Sequence, residues 1–112
     1  MKVEGMEEVS FKIIAAIGEA KTLIMTAITS ANNQQFEQAR EQLAEAKQKF
    51  VTAHNAHFDL IQKEASGEKV ELGLLLVHAE DQLMTTSLLH EVAEQMVTMY
   101  ETMYQLVQGK EN

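Results

Sequence analysis

The sequence lacks cysteine, proline and tryptophan, and its 112 residues include only five glycines and 5% aromatics. Without cysteine there is no disulfide framework, thiolate zinc site or cysteine nucleophile. Without proline, little interrupts regular backbone structure. A β-sandwich would lack its usual aromatic packing residues, whereas the abundant Ala, Leu, Glu, Gln and Met favour helix. The composition therefore predicts an all-α protein.

Acidic residues dominate the charge: seventeen Asp and Glu stand against nine Lys and Arg, giving a net charge of −8. This field repels a phosphate backbone, so nucleic-acid binding is excluded and a basic protein partner is favoured. No apolar run approaches the roughly 18 residues of a membrane span, and the first residues show no apolar signal region. We expect a cytoplasmic protein without membrane insertion, forming one domain over residues 1–112.

Two regular apolar patterns predict the first helices, from about residue 6 to 30 and from about 34 to 65. Asn32 and Asn33 are expected to end the first helix, since asparagine tolerates the left-handed conformation, and Gly67 to cap the second. The first stripe contains Val9, Ile13, Ile17, Ala20, Ile24 and Ile28, and the second contains Phe36, Ala39, Leu43, Ala46, Phe50, Ala53, His57 and Leu60.

A third helix is predicted from about residue 72 to 108, and it carries two adjacent seams at three- and four-residue spacing. Three antiparallel helices joined by short turns form the economical topology. Because one chain offers only two other helices, a neighbouring subunit is a reasonable cover for the extra seam. One seam reads Leu75, His78, Gln82, Thr85, Leu89, Val92, Met96, Met99, Met103 and Leu106, and the other reads Leu74, Val77, Asp81, Met84 and Leu88.

A polar break interrupts these seams at His78, Asp81 and Gln82. Asp81 lies about 60° and Gln82 about 40° around the helix from His78, so the three share one side, whereas Glu80, about 200° away, is expected in solvent. A buried polar group costs about 1–3 kcal/mol if it is unpaired, so the break needs a reason. Spacing leaves three readings open: a register-fixing polar layer, a phosphorylatable or catalytic histidine, and a metal site.

The other notable side chains favour structural readings. His54 and His57 share a face, but no carboxylate completes a convincing metal site, so a core or interface role is preferred. His90 lies outside both seams and is predicted to be a solvated surface residue. The stripe of Met96, Met99 and Met103 is predicted to pack in the core rather than to form a binding groove. No P-loop, GxGxxG, HExxH, GxSxG or EF-hand motif is present in the sequence.

Residues 74–86, Leu-Leu-Leu-Val-His-Ala-Glu-Asp-Gln-Leu-Met-Thr-Thr, resemble the active-site segment of a known family. It is the family of enzyme IIA components in the lactose/cellobiose (N,N′-diacetylchitobiose) branch of the sugar phosphotransferase system. The end of the predicted second helix, residues 53–67, is similar as well. The resemblance covers nearly the whole chain.

The resemblance implies a phosphotransferase component that carries phosphohistidine and turns over no small substrate by itself. His78 matches the histidine that accepts a phosphoryl group from HPr and passes it to a cysteine of the cognate IIB component, for uptake of a β-linked disaccharide. Asp81 matches the aspartate that, in three copies on a trimer axis, holds one divalent ion, usually taken as Mg²⁺. The family forms homotrimers of three-helix subunits, nine helices in all, with the histidine in clefts between subunits.

Two positions depart from the family motif, which commonly reads His-Ala-Gln-Asp-His-Leu-Met. Glu80 replaces the glutamine and adds charge, and Gln82, a candidate supporting residue, replaces the second histidine. Two rival hypotheses remain beside the phosphocarrier. One is a non-enzymatic helical interaction module with a polar specificity layer, and the other is a metalloprotein that binds its ion within one chain.

Overall fold

The computed structural model describes residues 5–111, which form three α-helices: α1 (Met6–Asn32), α2 (Phe36–Ala65) and α3 (Leu74–Glu111). The predicted all-α class is confirmed, and each helix begins and ends within a few residues of its predicted bounds. The three helices form a rod of 69 × 20 × 19 Å. A short turn makes α2 antiparallel to α1, and a contact between Arg40 and Glu101 shows that α3 is antiparallel to α2.

The core lies mainly along α1, which packs against both other helices, whereas α2 and α3 contact each other less. The apolar stripes predicted for the first two helices are confirmed, because most of their members are buried. Small side chains alternate with large ones on the facing sides of α1 and α2, which allows them to interdigitate. The cluster includes Ile13, Ala16, Ile17, Ala20, Ile24 and Ala27 from α1 and Ala39, Leu43, Ala46, Phe50 and Ala53 from α2.

The end of α1 differs from its predicted capping. Asn33 follows the helix at φ −93°, and the left-handed residue is instead Gln34, at φ 69°. The Gln34 N–H donates to the Ala31 carbonyl at 3.0 Å, and the Gln35 N–H donates to the Ser30 carbonyl at 2.9 Å. These two bonds form a Schellman motif, which requires a left-handed residue at the position that Gln34 occupies. The prediction that an asparagine takes this conformation is therefore wrong.

The end of α2 agrees with the sequence. Gly67 has φ 99°, a conformation that costs glycine little. Its N–H donates to the Glu64 carbonyl, and the Glu68 N–H donates to the Lys63 carbonyl, both at 3.1 Å. α3 then starts two residues later than predicted.

The seam by which α3 joins the bundle is neither of the two predicted ones. Its members follow one another at alternating three- and four-residue spacing, and two of them are polar, which hid the pattern in the sequence. Both predicted seams lie mostly outside this face. The buried seam consists of Leu76, Ala79, Leu83, Thr86, His90, Ala93 and Val97.

Some of the polar contacts between helices stand at the edges of the core. Ser30 Oγ donates to Gln42 Oε1 at 2.8 Å, joining α1 to α2. Arg40 donates two hydrogen bonds to the Glu101 carboxylate, at 2.5 and 3.3 Å, joining α2 to α3. Hydrogen bonding to Glu101 raises the pKa of the Arg40 guanidinium above its ordinary value, because the bond favours the charged form. Within residues 5–111, no helix is long and apolar enough to cross a membrane.

Candidate functional site

His78 lies in the second turn of α3 and is exposed. The helix starts just before it, with the Val77 N–H donating to the Gly73 carbonyl at 3.1 Å. Across the described residues, no hydrogen bond or ion pair within the chain involves the His78 imidazole. Both ring nitrogens are therefore open to solvent or to a docking protein.

Asp81 is also exposed, one turn further along the same helix. Its backbone carbonyl accepts a hydrogen bond from Thr85 Oγ1 at 2.9 Å. Its carboxylate has no cationic partner in the described part of the chain. The predicted grouping of polar side chains is thus real for these two residues, but within one chain they are exposed and not buried.

Asp81 is the one charged member of an exposed apolar surface on α3, which we call the outer stripe. Several of its members stand two residues before a buried residue, as Leu74 does before Leu76. Two residues turn the helix by about 200°, so the outer stripe lies on the opposite side of α3 from its buried seam. Leu74 is 87% exposed and Met84 66%. The outer stripe consists of Leu74, Val77, Asp81, Met84, Leu88, Val92, Met99, Met103 and Leu106.

Met96, Met99 and Met103 were predicted to pack in the core, and for Met99 and Met103 this prediction is wrong. Met96 is half-buried, but Met99 and Met103 are both more than half exposed. They repeat at the spacing of a packed helix face, so the sequence pattern was read correctly. The surface that it packs against was misassigned, because neither α1 nor α2 covers this side of α3 within residues 5–111.

Gln82 does not share the exposure of His78. Its side chain is half-buried, and no hydrogen bond joins it to the His78 ring in this chain. The structure therefore brings His78 and Asp81 to the exposed side of α3 and leaves Gln82 at its margin. No described contact gives Gln82 a supporting role for His78 within one subunit.

Glu80 was predicted to point into solvent, and the structure shows otherwise. Its Oε1 lies 3.2 Å from Nε2 of His57 on α2, and both side chains are about a third exposed, 36% and 27%. The contact forms because residue 80 lies on the α2 side of α3, well around the helix from His78. The atypical charge is therefore directed away from the His78 ring of the same chain. His54, by contrast, is exposed, beside Phe50 at a ring distance of 6.1 Å.

His90 was predicted to be solvated, but it is buried between α2 and α3, with 8% exposure. Its Nε2 lies 2.9 Å from the Leu43 carbonyl oxygen, so this nitrogen carries the hydrogen and donates. Its Nδ1 is 3.4 Å from Glu94 Oε1, and its ring meets Phe50 edge-on at 5.7 Å. His90 is a core histidine that joins two helices. The regular spacing of the buried α3 seam was the signal that would have found it.

A metal site within one chain finds no support over residues 5–111, where no three His, Cys, Asp or Glu side chains come together suitably. Asp81 offers one carboxylate per chain. Carboxylate oxygens suit a hard cation such as Mg²⁺, which needs further ligands from other chains or from water. The donor chemistry of Asp81 thus fits a shared divalent ion.

Residues 8–101 match the family described as the PTS system, lactose/cellobiose-specific IIA subunit. The chain belongs to this family. The lichenan-specific phosphotransferase enzyme IIA component of Bacillus subtilis (strain 168) is 39% identical over 98 residues, covering 88% of this chain and 89% of that protein. Other IIA relatives are named for oligo-β-mannoside and lactose.

Solved IIA structures share the fold as well. The cellobiose-specific enzyme IIA from Bacillus anthracis has a TM-score of 0.88 at 32% identity, covering 92% of this chain and 94% of that one. A second match is the IIA(chitobiose)–HPr complex of the Escherichia coli N,N′-diacetylchitobiose branch. Its TM-score is 0.72 at 26% identity, with 91% of this chain and 99% of that chain covered.

Proposed function

We propose that the chain is a cytoplasmic IIA phosphocarrier that accepts a phosphoryl group from phospho-HPr on His78. It then passes the group to the cognate IIB component during uptake of a β-linked disaccharide or oligosaccharide. The observation that carries the proposal is the exposed imidazole of His78, unpaired within its chain, in a member of the IIA family. A related IIA was solved in complex with HPr, which supports HPr as the donor.

The chemistry needs only a nucleophilic ring nitrogen and a docked donor. A neutral imidazole presents such a nitrogen, with a lone pair that can attack phosphorus. A lone pair of His78 forms the N–P bond while the bond from phosphorus to the donor breaks, and the donor keeps that electron pair. The proton on the other ring nitrogen remains there. In the second transfer, a nucleophile of IIB forms the new bond to phosphorus while the N–P bond breaks. His78 keeps the electron pair of that bond and is ready for the next donor.

Docking of the donor is favoured by the charge of the chain. Its net charge of −8 attracts a basic protein and raises the rate of encounter. Such steering weakens as salt is added, because exposed charges are screened over about 10 Å at 0.1 M ionic strength. This suits a carrier that must bind two partners in turn and release both.

The outer stripe supports self-association as a homotrimer. Single apolar side chains are common on surfaces, but a continuous apolar stripe marks an interaction site. A threefold arrangement about Asp81 would cover this stripe with the same stripe of two other copies. Three converging carboxylates repel one another, so we propose that one Mg²⁺ per trimer neutralises the Asp81 cluster. The ion would supply charge compensation at the axis, and it takes no part in the transfer at His78.

The test of the carrier function is transfer of label from phosphoenolpyruvate through enzyme I and HPr. We expect one phosphoryl group per chain, localised to His78 by mass spectrometry, and none on His78→Ala. His54→Ala removes another exposed histidine and should be labelled like the parent. Normal labelling of His78→Ala would overturn the assignment, and a parent that is never labelled would favour an interaction module without chemistry.

The metal proposal is tested by Asp81→Leu, with Asp59→Leu as the matched control because Asp59 is the other aspartate of the chain. The parent and the control should bind one ion per trimer and respond to a chelator. Asp81→Leu should lose the ion and remain a trimer indifferent to chelator, because leucine joins the apolar stripe. Dissociation of Asp81→Leu, or an unchanged metal content, contradicts an axial carboxylate cluster.

A further inference from the structure

Two ion pairs between α2 and α3 stand at very different distances from the candidate site. Nε2 of His57 lies 3.2 Å from Oε1 of Glu80, only two residues after His78. Arg40 binds Glu101 about 30 Å further along α3, at about 1.5 Å per residue. The pairs are similarly exposed, 27% and 36% for the first and 48% and 30% for the second. Only the first pair is close enough to act on the position of His78.

The first two turns of α3, residues 74–81, are held by little apolar packing. Their buried side chains are Leu76 and Ala79, and alanine contributes a single methyl group. The connection that precedes them, residues 66–73, has no buried side chain. The contact of Glu80 with His57 therefore adds a restraint where the apolar packing of α3 is thin.

The direction of the His78 ring depends on how these turns are rotated about the helix axis. Glu80 lies about 200° around the helix from His78, so the two side chains stand on nearly opposite sides. A rotation of about 10° moves an atom about 6 Å from the axis by about 1 Å. A displacement of about 1 Å from the productive geometry can slow a reaction by as much as ~100-fold. A contact that limits this rotation can thus control the rate of transfer without touching the phosphoryl group.

We propose that His57 and Glu80 are a positioning pair, which holds the first turns of α3 in the rotation that directs the His78 imidazole to the phosphoryl donor. The inference rests on the carrier function proposed above and assigns to it two residues that do not touch the reacting atoms. The bonds that form and break at His78 are unchanged. The pair alters only the fraction of encounters in which the ring nitrogen is correctly placed.

The test compares the rates at which phospho-HPr transfers its phosphoryl group to the parent and to His57→Ala. We expect His57→Ala to be about three- to tenfold slower at saturating donor, with the KM for phospho-HPr nearly unchanged. His57→Gln, whose amide can still donate to Glu80, should recover most of the lost rate. A His57→Ala protein that keeps the full rate overturns the proposal.

Arg40→Ala is the matched control, because it breaks the other ion pair between the same two helices. Both alanine variants should lower Tm by a few degrees at most, since partly exposed pairs contribute little to stability. Arg40→Ala should nevertheless accept the phosphoryl group at the parental rate. An equal loss of rate in Arg40→Ala and His57→Ala would show that a general loosening of α2 against α3 is responsible, and the positioning role would be wrong.

The other member of the pair is tested by Glu80→Ala. This variant should slow transfer as much as His57→Ala does, and the double variant should be no slower than either, because each change removes the same contact. The proposal also fails if Glu80→Ala is as fast as the parent while His57→Ala is slow. In that case an unpaired carboxylate, and not the rotation of α3, limits the rate.

A measurement without phosphoryl transfer separates this inference from the carrier proposal. The NMR resonances of the His78 ring can be assigned by their loss in His78→Ala. They should shift in His57→Ala and in Glu80→Ala, and they should stay in place in Arg40→Ala. Unmoved resonances in the first two variants overturn the positioning role, even if His78 is labelled normally. If His78 is never labelled, the carrier proposal fails, whereas the resonances still show whether the pair sets the direction of the ring.

Discussion

Replacing Gln34 by glycine should stabilise the protein. Gln34 is held at φ 69° by the Schellman bonds that end α1. The left-handed conformation costs a residue with a Cβ about 1–2 kcal/mol. Glycine avoids this cost but loses about 0.5–1 kcal/mol of extra backbone freedom on folding. The net gain for Gln34→Gly is therefore about 0.5–1 kcal/mol.

The gain is measurable as a shift in thermal unfolding. An unfolding entropy of about 2.1 cal/mol/K per residue gives roughly 0.23 kcal/mol/K for a chain of this length. Gln34→Gly should then raise Tm by about 2–4 °C. Parent and variant must be compared at one protein concentration, because the proposed self-association would make Tm depend on concentration. Urea unfolding gives an independent value, and its m-value should not change.

Asn33→Gly is the matched control in the same turn. Asn33 has φ −93°, which any residue adopts without strain, so glycine there only increases the freedom of the unfolded chain. This variant should lose about 0.5–1 kcal/mol. If the two variants shift Tm in the same direction, the assignment of the left-handed position to Gln34 is refuted.

Three further substitutions probe the contacts between α2 and α3. His90→Ala should cost about 2–3 kcal/mol in urea unfolding, because it removes a buried hydrogen bond and leaves a cavity; a loss below about 1 kcal/mol would mean that His90 is solvated after all. Arg40→Ala should cost no more than about 1 kcal/mol, since its bond with Glu101 is half exposed, and added salt should reduce even that. Glu80→Gln should stay within about 0.5 kcal/mol of the parent, because glutamine can still hydrogen-bond His57; a loss several times larger would make this contact a main support of α3.

Local features of the sequence were sufficient to predict the three helices and most of their ends. The stripe of α2 alternates with charged outward positions, so only one face could be the core, and the structure confirms it. Gly67 marks the end of α2 because only glycine adopts its conformation cheaply. Gln34 could not be foreseen, because it directly follows Asn32 and Asn33, and asparagine tolerates the left-handed conformation better than glutamine does.

The candidate site was predicted from the sequence through its motif, whereas the contacts around it could not be predicted. The pattern singles out His78 and Asp81, because an imidazole and a charge stand where apolar side chains are due, but their predicted roles come from the family resemblance. The partner of Glu80 could not be predicted, since His57 lies on another helix and only the alignment of α2 with α3 brings the two together.

By itself, the sequence determined that α3 has more than one apolar face; only the tertiary structure decided which face meets the bundle. The face that joins α1 and α2 includes Thr86 and His90, whereas the exposed face is rich in leucine and methionine. Polarity alone therefore predicted that the wrong face of α3 is buried in the bundle. The physical reason is that His90 satisfies its hydrogen bond on the Leu43 carbonyl inside the core. The outer stripe, apolar around Asp81, remains exposed because the core seam of α3 already faces α1 and α2.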